Sequence, residues 1–200
     1  MKFRLAALAL AALALPLVAC GDDKEAKVLS GYQLTPPPAV GALSMPDASA
    51  DGAEFTFVSA ADRYLIVYFG YTSCPDVCPT TLAEVKKAFK QIGDTAEQID
   101  VAMITVDPER DDGDLLTRYV QSFIDDAHAL RTDDTAELEA VAKAFGASYT
   151  VTKNDAGEIE VSHSGNLYVV DQNGDVVLQW PFGLKADAIA TDLEILFEKA

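Results

Sequence analysis

Two apolar runs, Tyr64-Leu-Ile-Val-Tyr-Phe69 and Asp100-Val-Ala-Met-Ile-Thr-Val106, constrain the fold of this chain most. The first is apolar at successive positions, so both of its faces need cover, which marks an interior strand. Between the two runs, Thr80 to Ile92 carries Leu82, Val85, Phe89 and Ile92 on one stripe of an amphipathic helix. A strand, a helix and a second buried strand make a parallel crossover. The turn that leads into this helix holds two cysteines, Cys74 and Cys78.

The remaining elements follow from pattern and turn chemistry. Phe55 to Val58 reads as a strand and Leu115 to Ile124 as a helix. Asp134 to Phe145 reads as another helix, with Asp134 and Glu137 in capping-box spacing and Gly146 as a stop. The pattern then shortens to four strands: Ser148–Thr152, Glu158–Val161, Leu167–Asp171 and Val176–Trp180. Asn173-Gly174 between the last two is a hairpin signal, and a closing helix runs from Lys185 to Glu198. The order predicts an α/β sandwich around a mixed sheet, with no internal repeat.

The cysteine turn, Gly70-Tyr-Thr-Ser-Cys-Pro-Asp-Val-Cys-Pro79, is where chemistry is expected. If both cysteines lie on one helical turn, residues i and i+4 share a face and their sulfurs converge. Unpaired amides and the dipole at a helix N-terminus favour thiolate over thiol. Pro79 suits a first helical turn, where its missing N–H costs little. Thiolates both bind soft metals and attack disulfides, so these residues leave both chemistries open. Two histidines could add a harder donor. His163 stands in Val161-Ser-His-Ser-Gly-Asn-Leu-Tyr168, just before an apolar strand, where sites gather in α/β proteins. His128, in an acidic loop, is the weaker candidate, and a lone histidine is ordinarily a hydrogen-bonded or surface residue.

The N-terminal residues resemble a bacterial lipoprotein signal. Lys2 and Arg4 precede 14 mostly apolar residues, Leu5 to Val18, too few for a comfortable membrane span. Leu17-Val-Ala-Cys20 resembles a lipobox, which implies cleavage after residue 19 and a lipid on Cys20. Residues 20–46, with Pro36-Pro37-Pro38, read as the lipidated N-terminus and an extended tether. Twenty-five such residues would reach about 80–90 Å fully extended. Residues 47–200 form one domain. Without residues 1–19 the chain has 13 basic and 32 acidic residues, a net of −19. That charge makes nucleic acid and anionic lipid surfaces poor partners.

Taken in order, the cysteine motif, Thr105-Val-Asp-Pro-Glu-Arg-Asp111, and His163-Ser ahead of Leu-Tyr-Val-Val-Asp171 with Gly174 resemble the Sco/SenC family. That resemblance implies a thioredoxin-like fold: a mixed central sheet flanked by helices, with an added β-hairpin. It implies copper, Cu(I) or Cu(II), held by Cys74, Cys78 and His163. It places Asp107 and Asp111 in an acidic loop near the site, in copper handling or partner docking. Capping of the helix after Gly113 is the alternative for both. Tyr71 and Asp76 become supporting or turn-forming residues. Leu130-Arg-Thr-Asp133 and Asp112-Gly113 depart from the family pattern in surface loops.

The expected function is therefore a copper chaperone on the periplasmic face of the inner membrane. Its expected partners are the copper-bearing subunit of cytochrome c oxidase and, as a further candidate, another copper chaperone. The alternative is a thiol–disulfide reductase that keeps the oxidase cysteines reduced, with Cys74 as nucleophile and Cys78 resolving. Thioredoxin-type exchangers pair Cys-x-x-Cys with a cis-proline. Here the spacing is one residue longer and no proline falls between Pro108 and Pro181, which favours the metal. A thiol peroxidase lacks a matching motif.

Overall fold

The computed structural model describes residues 28–199. The leader expected over residues 1–19, and Cys20, lie outside them. The central strand β3 (Tyr64–Gly70) has Leu65 to Phe69 at 1% exposure or less, as its two-faced apolar run requires. On one side it pairs in parallel with β4 (Ile99–Thr105), across the helix α1 (Val77–Ile92). On the other it pairs antiparallel with β8 (Leu167–Val170), which turns back into β9 (Val176–Trp180). The sheet is completed beyond β4 by β5 (His128–Leu130), β1 (Ser44–Asp47) and β2 (Ala53–Thr56), giving the order β2-β1-β5-β4-β3-β8-β9.

Helices cover both faces. The face bearing Tyr64 and Tyr68 carries α1 and the closing helix α4 (Ala186–Lys199), with the Tyr64 and Phe197 rings 5.0 Å apart. The face bearing Phe69 carries α3 (Thr135–Phe145), whose Phe145 ring lies edge-on to Phe69, Phe57 and Tyr168. The expected cap of α3 forms: the Asp134 carboxylate accepts from the amides of Ala136 and Glu137, and Gly146 takes a left-handed turn at φ 70°. The helix α2 (Gly113–Gln121) sits beside α1, where the Lys86 ammonium donates to the Ser122 carbonyl.

A two-stranded hairpin, β6 (Tyr149–Lys153) and β7 (Ile159–His163), stands apart from the main sheet. Its turn is set by Asn154, whose side-chain oxygen accepts from the amides of Ala156 and Glu158, and by Gly157 at φ 80°. His163 is its last residue and pairs with Tyr149, so β7 extends two residues past the expected strand and holds the imidazole at the hairpin's base.

The segment read as a tether departs from expectation. From Ser30 onward it lies on the domain: Tyr32 and Gln179 exchange both backbone hydrogen bonds, Val176 donates to Pro38, and Val40 is fully buried. This strap gives edge strand β9 a partner, which an edge otherwise lacks. Its end becomes β1, with Met45 buried at 1%. Among the described residues, the folded unit therefore takes in the segment from Leu29 onward, ahead of residue 47. Two strands, β1 and β5, are too short for periodicity to register. The strand expected at Phe55–Val58 sits two residues earlier, because Phe57 leaves the ladder to enter the core.

Candidate metal centre

β3 ends at Gly70, and the chain turns directly into the cysteine loop. Gly70 is required there by a close approach. A Cβ on it would meet Tyr68 Cε1 at 2.7 Å and Cys78 Sγ at 3.1 Å. Cys74 lies before α1, not on it, so the two sulfurs do not converge as i and i+4 of one helical turn. Instead the Cys78 amide, one of the unpaired donors of the first turn, reaches back to Cys74 Sγ at 3.3 Å. Asp76 is the residue that opens the helix, and its carboxylate accepts from the Thr80 hydroxyl at 3.2 Å.

His163 closes the site from the other side of β3. Its Nε2 is 3.5 Å from Cys78 Sγ, and its Nδ1 faces the Ser164 carbonyl at 3.2 Å. A carbonyl only accepts, so Nδ1 carries the proton and Nε2 presents its lone pair to the sulfurs. Burial pushes the imidazole below its ordinary pKa, partly offset by the Ser164 carbonyl, which keeps it a neutral donor. The rings of Tyr68 and Tyr71 stand edge-on to it, with centroids 6.0 and 5.8 Å away, and fix its plane.

The donor atoms of Cys74, Cys78 and His163 all lie within 4.8 Å of one another. A soft or borderline ion binds such donors at about 2.0–2.3 Å, which spaces three of them about 3.5–4 Å apart in a plane. The Cys78–His163 pair already meets that spacing, and the rest is within about 1 Å of it. Two sulfurs and one imidazole suit copper in either common oxidation state better than a hard cation.

The thiols differ in setting. Cys78 is fully buried, and desolvation pushes its pKa up to about 12 despite the neighbouring Tyr68 hydroxyl. The expected thiolate bias of a helix N-terminus therefore fails at Cys78, because burial outweighs it. Cys74, at 8% exposure, is the sulfur nearer to solvent. The Tyr68 hydroxyl is buried beside Cys78 yet lacks a partner in hydrogen-bond geometry. Sequence reading placed Tyr68 only in the core.

Asp111 is fully buried and ties the loop after β4 to the cysteine loop. Its carboxylate accepts from the Thr72 amide at 2.9 Å, the Thr72 hydroxyl, and the Thr105 hydroxyl at 2.6 Å. Asp107 pairs with Arg110, whose guanidinium stacks 5.8 Å from the centre of the Tyr71 ring. Neither caps α2; Asp112 does, accepting from the Leu115 amide at 2.7 Å. His128 is remote from the sulfurs and bonds the Asp47 carboxylate at 2.6 Å.

Fold and cluster together define a thioredoxin-like protein with a buried two-cysteine, one-histidine centre. The sequence matches the SCO1/SenC family over residues 47–198, and the chain belongs to that family. Its backbone resembles apo Sco1 from Thermus thermophilus, with a TM-score of 0.72, 30% identity, and coverage of 86% of this chain and 99% of that one. It also resembles copper-bound ScoI from Bradyrhizobium japonicum, with a TM-score of 0.65, 27% identity, and coverage of 76% and 96%. A candidate copper-binding protein of Stutzerimonas stutzeri is 36% identical over 123 residues, 61% of this chain and 60% of that relative. The chain spans less than two thirds of the length of the curated relatives it first matches.

Proposed function

We propose that this protein is a copper chaperone: it binds one copper ion through Cys74, Cys78 and His163 and passes it to the binuclear copper site of cytochrome c oxidase. The convergence of those three donors within 4.8 Å is the observation that carries the reading. The copper-bound B. japonicum relative supports it. The ion is cargo. Loading displaces the proton that burial keeps on Cys78, and the neutral His163 supplies a lone pair without losing one. On delivery one acceptor thiolate displaces His163, the more weakly held donor for Cu(I), and a second acceptor thiolate then displaces the Cys74 and Cys78 thiolates, which take up the protons the acceptor thiols gave up. The oxidation state is unchanged and no electrons move.

The proposed location is the periplasmic face of the inner membrane, through lipid on Cys20. Among the described residues no helix is long and apolar enough to cross a membrane. The direct test is transfer from the copper-loaded protein to a reduced apo oxidase copper subunit. Stoichiometric transfer from wild type and none from Cys74→Ser is the expected result; equal transfer by both would refute it.

A second reading has its own support in the unequal exposure of the sulfurs. Both are buried, but Cys74 is the less so and would meet a substrate disulfide first, with Cys78 behind it to resolve the mixed disulfide. The substrate gains two thiols and the protein a Cys74–Cys78 disulfide. His163→Ala separates the readings: full disulfide reduction with no wild-type copper binding would favour the reductase.

A further inference from the structure

The first residues of the strap that covers β9 are fastened by a buried carboxylate, ahead of its backbone bonds to Gln179, Val176 and Gly174. Asp192 of α4 is fully buried and accepts from the amides of Ser30 at 2.8 Å and Gly31 at 2.9 Å, and from the Trp180 indole N–H at 2.8 Å. A carboxylate with three such donors is a strong clamp, because charge-assisted bonds are about twice as strong as neutral ones. Gly31 fits only because it lacks a side chain: a Cβ there would meet Trp180 Cδ1 at 2.7 Å.

Strand register fixes which end of the domain this is. Trp180 pairs with Leu167, and Leu167 pairs with Tyr68, two residues before the cysteine loop. The chain thus joins the domain at the copper-bearing end of the sheet. It then runs away toward Gly174 at the opposite end, where Val40 donates to the Gly174 carbonyl. β9 lies two strand spacings, about 10 Å, from β3.

The same end carries exposed apolar side chains. Among the described residues, Val28 is 80%, Tyr32 63% and Phe182 48% exposed, half of the six large hydrophobics left open. Phe182 stands at the rim of the site, since a Cβ on Gly165 would touch it at 2.9 Å and Val77 at 3.3 Å. A tyrosine favours the headgroup level of a bilayer, and a phenylalanine the acyl boundary just beneath it.

We infer that the Asp192 clamp hangs the domain with its copper-bearing end toward the membrane, Tyr32 and Phe182 resting at the lipid interface. This rests on the reading of Cys20 as the lipidated residue. Nine residues, 21–29, separate Cys20 from the clamp, a contour length of at most about 30 Å and far less than that of residues 20–46. The occupant of this surface is the bilayer itself. With a net charge of −19 after cleavage, contact is apolar and not electrostatic.

The test uses the full lipidated chain on phosphatidylcholine vesicles, with benzoylphenylalanine placed in turn at Tyr32, Phe182 and Asn173, the last at the far end. Lipid adducts at the first two sites and not at Asn173 are expected. Asp192→Ala should spread labelling to both ends, and Gly31→Val should do the same by wedging the strap off Trp180 should Asp192→Ala not fold. A chain that floats with vesicles but labels evenly overturns the orientation alone. A chain that does not float overturns the anchor reading and the orientation with it. Absence of lipid adducts at both Tyr32 and Phe182, even with the oxidase subunit cross-linked there, also overturns the proposal.

Discussion

Cys78 and His163 face each other at 3.5 Å, Sγ to Nε2, although 85 residues separate them in the chain. The pair exists because β3 and β8 are hydrogen-bonded neighbours, so the loop leaving one and the hairpin entering the other meet at a single sheet end.

A pH dependence follows from the buried thiol. Cys78, with its pKa pushed up to about 12, is protonated throughout the neutral range, so copper must expel that proton. The imidazole, held below its ordinary pKa, adds no proton above neutrality. Apparent copper affinity should rise at least about tenfold per pH unit from pH 7 to 9. Competition with a chelator of known pH behaviour measures it, and a flat profile would contradict a protonated Cys78. In the metal-free protein the sign reverses. A folded thiol pKa above the unfolded value contributes stability that is present below pH 9 and lost as pH rises toward 12.

Gly70→Ala probes the close approach beneath the sulfurs. Its Cβ would press on Tyr68, Met103 and Cys78 within a close-packed core. A stability loss of about 1–3 kcal/mol is expected in urea unfolding. Copper affinity should fall as well, because the displaced sulfur is one of the proposed ligands. A variant that binds copper like wild type would show that the sulfur is free to shift.

Asp111→Asn tests the brace between the two loops. The new amide nitrogen would face donors from Thr72 and Thr105, leaving buried groups unpaired. Loss of about 2–4 kcal/mol is expected. Because the brace holds the cysteine loop, faster copper release should accompany it. Stopped-flow transfer to a chelator reads that rate. Unchanged release with reduced stability would confine Asp111 to folding.

A chain beginning at residue 47 should be less stable than one beginning at residue 28. It loses the burial of Val40 and Met45, together about 3–6 kcal/mol, and leaves β9 an open edge. Comparative denaturation of the two chains decides this, with equal midpoints contradicting a structural strap.

Much of this was legible in the sequence because it rests on local signals. The two-faced apolar run of β3, the Asp134 cap and the Asn173-Gly174 turn each carry their own chemistry. The cysteine pair was equally plain; His163 stood out by its place before an apolar strand, and a resemblance spanning three separated motifs made it a ligand candidate. What stayed hidden depends on neighbours distant in sequence. The strap looks like a linker because its partner, Asp192, lies 161 residues from Gly31. The Cys78 pKa reverses the local expectation because burial is set by Tyr68 and the core, not by the helix end. Gly70 could have been noticed: a glycine ending a wholly apolar strand often marks a close approach.

An anaerobic titration of the reduced protein with Cu(II), run beside His163→Ala, decides whether Cys74, Cys78 and His163 hold one copper ion. One equivalent with a sulfur-to-copper charge-transfer band, weakened or lost in the variant, is the predicted result. No band, with Cu(II) merely oxidising the two thiols to a disulfide and Cu(I) also binding weakly, would contradict the copper site and leave the reductase reading in its place.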